Sequence, residues 1–125
     1  MNVPLRVIFV EDDYLLAETL AECLVALGYQ VSAHATTVSQ ALKDVEAVPC
    51  DFAIVDLFLK GEMASPVLDK LRDRGIPFLV ASGAYVADIP PRHLGAPRLS
   101  KPYDLHALQH AIDGLALGAS TQRSA

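Results

Sequence analysis

Three apolar runs in this chain each end on a charged residue suited to handling phosphoryl groups. Val7-Ile8-Phe9-Val10 leads into Glu11-Asp12-Asp13, Phe52-Ala53-Ile54-Val55 ends on Asp56, and Arg98-Leu99-Ser100 ends on Lys101-Pro102. A fourth run, Phe78-Leu79-Val80-Ala81, ends on Ser82. If the runs are neighbours in an open parallel sheet, their carboxyl ends share one edge, where such sheets carry their sites. Glu11, Asp12 and Asp56 would repel one another there, and burial would push their pKa values up. A hard divalent cation removes that conflict. Mg²⁺ takes oxygen ligands, needs only one or two carboxylates, and keeps waters and phosphate oxygens in its other positions. Lys101 is a compact cation for phosphate oxygens, and Ser82 can donate a hydroxyl proton to another. Asp56 then has the strand-end position of a nucleophile that forms an aspartyl phosphate, with metal and lysine neutralising the transferring group.

Taken singly, each piece has a plainer explanation. Glu-Asp-Asp ahead of a helix also reads as an acidic first turn, Asp56 as a turn residue and Lys-Pro as a loop. As a set, at four strand ends in order, they point to phosphoryl chemistry. A Mg²⁺-dependent phosphatase with an Asp nucleophile would want a second acid two residues on, where Phe58 stands.

The positioning elements follow from hydrophobic period. Leu5–Val10 predicts a strand buried on both faces. Leu16, Leu20, Cys23, Leu24 and Leu27 then recur at helical spacing, with Gly28 as the stop. Gln30–Ala35 predicts a more polar edge strand. Val38, Ala41, Leu42 and Val45 mark a second helix that ends before Pro49. Asp51–Val55 is a third strand, and Ser65-Pro66 reads as an N-cap and first helical position. Val67, Leu68 and Leu71 are that helix's buried stripe, Gly75 its end, and Ile76–Ala81 the fourth strand. A last helix begins near Tyr103 with Asp104 in its first turn, its apolar face built from Leu105, Leu108, Ile112 and Leu115. Between Ser82 and Lys101, Pro90, Pro91, Gly95 and Pro97 allow only a short or irregular helix. Strands alternating with helices predict an α/β fold, a parallel sheet with helices on both faces.

A chain of 125 residues, 52% hydrophobic and 20% charged, fits one domain with a sizeable core. The net charge of -5 argues against nucleic acid or an anionic membrane as direct partners. Cys23 and Cys50 make no disulfide framework and suit a reducing compartment, with Cys23 read as an inert core thiol. Pro4 and Arg6 interrupt any apolar stretch near the start, and no run is apolar enough to span a bilayer, so a cytoplasmic protein is expected. His106 and His110, at i and i+4 on the last helix, have metal-binding spacing but no third ligand nearby, and read as half-exposed surface histidines.

Val10-Glu11-Asp12-Asp13, Val55-Asp56-Leu57, Ala81-Ser82-Gly83 and Lys101-Pro102-Tyr103 carry a family likeness. Over about residues 5 to 117 the chain resembles the receiver domain of bacterial two-component response regulators. The resemblance implies a flavodoxin-like, doubly wound five-stranded sheet of order 2-1-3-4-5, with a receiver over 1–118 and a flexible tail over 119–125. It implies that Glu11 and Asp12 bind Mg²⁺ with Asp56, that Asp56 accepts phosphate from a histidine kinase or histidine phosphotransfer protein, and that Ser82 and Lys101 contact the phosphoryl group. Such domains catalyse their own phosphorylation as switches rather than metabolic enzymes.

Departures from the family concern the output. The usual aromatic switch, three residues before the lysine, is Arg98 here, and the fourth helix is broken. Val80-Ala81-Ser82-Gly83-Ala84-Tyr85 resembles in part the Phe-Ala-Thr-Gly-hydrophobic-Tyr motif of a subgroup of single-domain regulators. Tyr85 is then either a substitute switch or an aromatic filling the gap left by a poor helix. Phe58 and Ala84 stand where receivers tune water attack, and neither orients a water, so slow self-dephosphorylation is expected. The reading is a stand-alone receiver, monomer or weak homodimer, acting on a downstream protein or as a phosphate shuttle or sink. The alternatives are a phosphorylation-independent adaptor of the same fold, or a receiver cut from a hybrid kinase or longer regulator.

Overall fold

Side-chain alternation along three central strands divides the core in two. The computed structural model describes residues 3–83, 91–93, 95–101 and 103–115. Its strands are β1 (Arg6–Val10), β2 (Gln30–Ala35), β3 (Phe52–Asp56), β4 (Phe58–Leu59), β5 (Glu62–Met63), β6 (Phe78–Ser82) and β7 (Arg98–Ser100). Its helices are α1 (Tyr14–Ala26), α2 (Val38–Ala47), α3 (Ser65–Asp73) and α4 (Leu105–Asp113). The main sheet is parallel, in the order β2-β1-β3-β6-β7. Counting its strands alone, this is the expected 2-1-3-4-5. Phe9, Phe52, Ile54, Leu79 and Ala81 point to the face covered by α1 and α4, where Leu20, Leu24, Leu108 and Ile112 meet them. Val10, Ala53, Val55, Phe78 and Val80 point to the opposite face, against Val38, Val45, Val67 and Leu71 of α2 and α3. Two-residue periodicity thus supplies both layers of a doubly wound sheet.

Strands β1, β3 and β6 begin one or two residues later than the expected Leu5, Asp51 and Ile76, and other local details differ as well. Leu16 and Leu105, expected in apolar stripes, are exposed; Ala17, Leu20 and Leu24 form the buried face of α1, and Leu108 and Ile112 that of α4. Ser65 is the first helical residue rather than the cap: Ala64 holds that position without a side-chain bond, and Pro66 follows within the first turn. Asp104 is itself the N-cap of α4, its carboxylate accepting from Ala107 N at 2.8 Å. The antiparallel hairpin β4–β5 is additional to the expected elements. Its two-residue turn has Lys60 at φ 27° and Gly61 at φ 81°, the left-handed pair that matches strand twist. At α1's end Gly28, at φ 94°, lets Tyr29 N reach Leu24 O and Gly28 N reach Val25 O, a Schellman closure.

Where a fourth helix would lie, the described residues contain a 3₁₀ turn at Pro91–His93; Pro90 and residues 84–89 lie outside the described residues. His93 is fully buried there, edge-on to Phe78 at 6.0 Å. Its Nδ1 faces Arg72 Nη2 at 3.4 Å, so Nε2–H donates to Asp69 Oδ1 at 2.8 Å. Arg92 grips the same carboxylate at 2.7 and 2.9 Å. Hydrogen bonding from Arg92, joined by His93, holds Asp69 down to about 2. This polar latch ties the turn to α3.

Candidate functional site

Four strand ends converge as the sheet order requires. β1 delivers Glu11 and Asp12, β3 delivers Asp56, β6 ends on Ser82, and Lys101 follows β7. Main-chain bonds fix the levels: Glu11 N donates to Ala35 O at 3.0 Å, Leu57 N to Ala81 O at 3.1 Å, and Lys101 N to Ser82 O at 3.1 Å. Each residue beyond a strand is therefore still anchored to its neighbouring strand. Asp13 makes the exit from β1 into a helix start by accepting from Leu16 N at 3.1 Å.

Lys101 Nζ bridges two carboxylates, Glu11 Oε1 at 2.8 Å and Asp56 Oδ2 at 3.0 Å. The remaining oxygens have backbone donors: Asp13 N gives to Glu11 Oε2 at 3.0 Å, and Phe58 N to Asp56 Oδ1 at 3.3 Å. Glu11 and Asp56 are buried, and Asp12 is half-buried. Burial pushes Asp56 up to about 6; the Lys101 bond opposes this, and the neighbouring Glu11 charge adds to it. Burial also works against the charge on Lys101, but its two carboxylate bonds outweigh this and leave its pKa raised.

One oxygen from each of Glu11, Asp12 and Asp56 lies within 4.8 Å of the others, a hard, oxygen-only donor set that fits a divalent cation such as Mg²⁺. Among the described residues it is the one group of three or more potential metal-ligating side chains. His106 and His110 are exposed on α4 and belong to no such group.

Metal-free protein should report the Asp56 shift directly. The folded state holds this proton more tightly than an unfolded chain with an ordinary carboxylate near 3.8. The stability Asp56 contributes is therefore present at low pH and is lost as pH rises from 3.8 through about 6. Thermal melts in chelator across this window should show wild type losing stability relative to Asp56→Asn; parallel curves would contradict the shift.

The remaining predicted residues divide. Ser82 is half-buried at the end of β6. Phe58 is 39% exposed beside Asp56, contributing its backbone N–H to that carboxylate. Arg98 opens edge strand β7, exposed and paired in register with Val80. Ala84 and Tyr85 lie outside the described residues. Cys23 is half-buried against the α1–α4 core, and Cys50 is likewise half-buried. Sequence reasoning overlooked His34, whose Nε2–H donates to the Glu11 carbonyl at 2.9 Å. The only sequence signal was its place near the end of an edge strand. Tyr103, expected only to stand near the start of the last helix, lines an apolar cavity of about 280 Å³ with Leu16, Leu20 and Lys101.

Fold and site together define a response regulator receiver, and the chain belongs to that family. SdrG from Sphingomonas melonis Fr1 is 32% identical and superposes with a TM-score of 0.80, over 90% of this chain and 97% of that one. The BeF3-activated conformation of SdrG, from Pseudomonas melonis Fr1, matches over the same shares at 32% identity and a TM-score of 0.76. A CheY-like receiver domain from Methylobacillus flagellatus is 25% identical over 89% of this chain and 98% of its own, with a TM-score of 0.76. No family model matches the chain, and neither does any curated protein. No helix among the described residues is long and apolar enough to cross a membrane.

Proposed function

We propose that this chain is a phosphoacceptor switch that takes a phosphoryl group on Asp56 from a phosphohistidine, on a histidine kinase or a histidine phosphotransfer protein, and signals through a protein partner or passes the group on. The observation that carries this reading is the Lys101 bridge between Glu11 and Asp56 beside the three-carboxylate cluster. In the transfer a carboxylate oxygen of Asp56 forms a bond to phosphorus as the phosphorus–nitrogen bond breaks, and the imidazole leaves with the electron pair. Glu11, Asp12 and Asp56 would hold Mg²⁺, which supplies charge neutralisation at the phosphoryl oxygens. Lys101 neutralises a further oxygen, and the Ser82 hydroxyl donates to another. Phe58 N–H orients the Asp56 carboxylate.

The domain acts on itself and turns over no metabolite. Receiver over 1–118, tail over 119–125, cytoplasmic location and a monomer or weak homodimer belong to the same reading, with Tyr85 or Arg98 as the switch element. Phe58 carries no group able to hold an attacking water, and Ala84 carries none either. The test is uptake from a small acyl-phosphate donor with Mg²⁺, followed by donor removal. The phosphorylated form should persist for minutes or longer; decay within seconds would refute the role given to Phe58 and Ala84, and no uptake would favour a phosphorylation-independent adaptor.

A further inference from the structure

We propose that His34 is a positioning residue for the metal-binding acids, and that its N–H clamp on the Glu11 peptide sets the affinity of the site for Mg²⁺. The inference rests on the receiver reading of Glu11 and Asp12. It begins with an irregularity in the pairing of β1 and β2. Val7 pairs with Val31, but Ile8 pairs with Ala33, so Ser32 is one residue too many on the edge strand. In a regular strand Val31 and His34, three apart, would face opposite sides of the sheet. With the extra residue between them, both line one cavity of about 300 Å³ under α1, together with Phe9 and Tyr14. Re-aiming a side chain is what a bulge does.

The re-aimed ring makes two contacts. It stacks on Phe9, with centroids 4.4 Å apart and planes 20° from parallel, and its Nε2 lies 2.9 Å from the Glu11 carbonyl oxygen. A carbonyl only accepts, so the proton is on Nε2. The next residue of β2 holds the other side of Glu11, since Ala35 O accepts from Glu11 N at 3.0 Å. Consecutive residues of an edge strand thus grip Glu11 by its N–H and its C=O. That carbonyl belongs to the peptide joining Glu11 to Asp12, so its plane sets the direction in which Asp12 leaves the backbone. Asp12 is the half-buried member of the cluster, Glu11 and Asp56 being buried.

Bonds of this supporting kind are typically worth 10–100-fold in metal affinity. Two variants separate the donor from the ring. His34→Phe keeps a ring for Phe9 and removes the N–H, while His34→Gln loses the ring and offers an amide N–H at similar reach. Calorimetric titration with Mg²⁺ should find the Phe variant about tenfold weaker than wild type and the Gln variant within about twofold of it. Melting in chelator should leave the Phe variant close to wild type. A Phe variant that binds Mg²⁺ like wild type, or Phe and Gln variants weakened equally, would overturn the proposal. Wild type with no Mg²⁺ binding that Asp56→Asn removes would overturn the receiver reading itself, a distinguishable failure.

Discussion

Replacing Lys101 by Met is expected to slow phosphoryl uptake by at least about 100-fold while tightening Mg²⁺ binding several-fold. The two effects have opposite signs because Nζ serves opposite purposes before and during transfer. In the resting site it bonds Glu11 Oε1 at 2.8 Å and Asp56 Oδ2 at 3.0 Å, and its charge opposes a cation arriving among the same carboxylates. During transfer a positive charge fixed at that point stabilises the phosphoryl oxygens, and removing such a group costs on the order of 10²–10³ in rate. Metal-free stability should fall by about 3 kcal/mol, because two buried carboxylates lose their shared counter-ion. Saturating Mg²⁺ should restore much of that loss. Urea denaturation with and without Mg²⁺, beside uptake kinetics, checks all three effects. A Lys101→Met protein that takes up phosphate at the wild-type rate would refute the lysine's role.

Asp56→Asn should take up no phosphate at all, yet fold more stably than wild type when metal is absent near neutral pH. An amide has no nucleophilic carboxylate oxygen to give, so uptake is lost outright. The same change removes a charge that burial and Glu11 both disfavour. Asn keeps an oxygen able to accept from Lys101, so the geometry around Nζ survives. The gain should vanish toward acid pH, where the wild-type carboxyl is already protonated. Intact mass after incubation with an acyl-phosphate donor, beside melts in chelator at both pH values, measures both halves. Residual uptake would mean another acceptor.

The strands were legible because their patterns depend on little beyond local sequence. Gln30–Ala35 and Arg98–Ser100 have the bounds expected of them, and the buried runs of β1, β3 and β6 need both sheet faces covered. Once the order was known, the meeting of Glu11, Asp56 and Lys101 followed. What stayed hidden depends on a partner distant in sequence or on one extra residue. Leu16 looks like core by spacing, but it lies at the margin of α1's buried stripe, which Ala17, Leu20 and Leu24 form. Asp104 moved from first turn to cap by a single position. Lys60-Gly61 carried a turn signal, but strands of two residues are too short for alternation to register. His34 and His93 owe their surroundings to the bulge at Ser32 and to Asp69 on α3, which no window around either residue contains.

The chemistry of the acyl phosphate offers the most direct test. Wild-type protein incubated with a small acyl-phosphate donor and Mg²⁺ can be reduced with borohydride, which converts a phosphorylated aspartate to homoserine. Peptide mass mapping should find homoserine at position 56 and nowhere else, and none when Mg²⁺ is chelated. Homoserine at another carboxylate, or no conversion in the presence of Mg²⁺, would contradict the assignment of Asp56 as the phosphoacceptor.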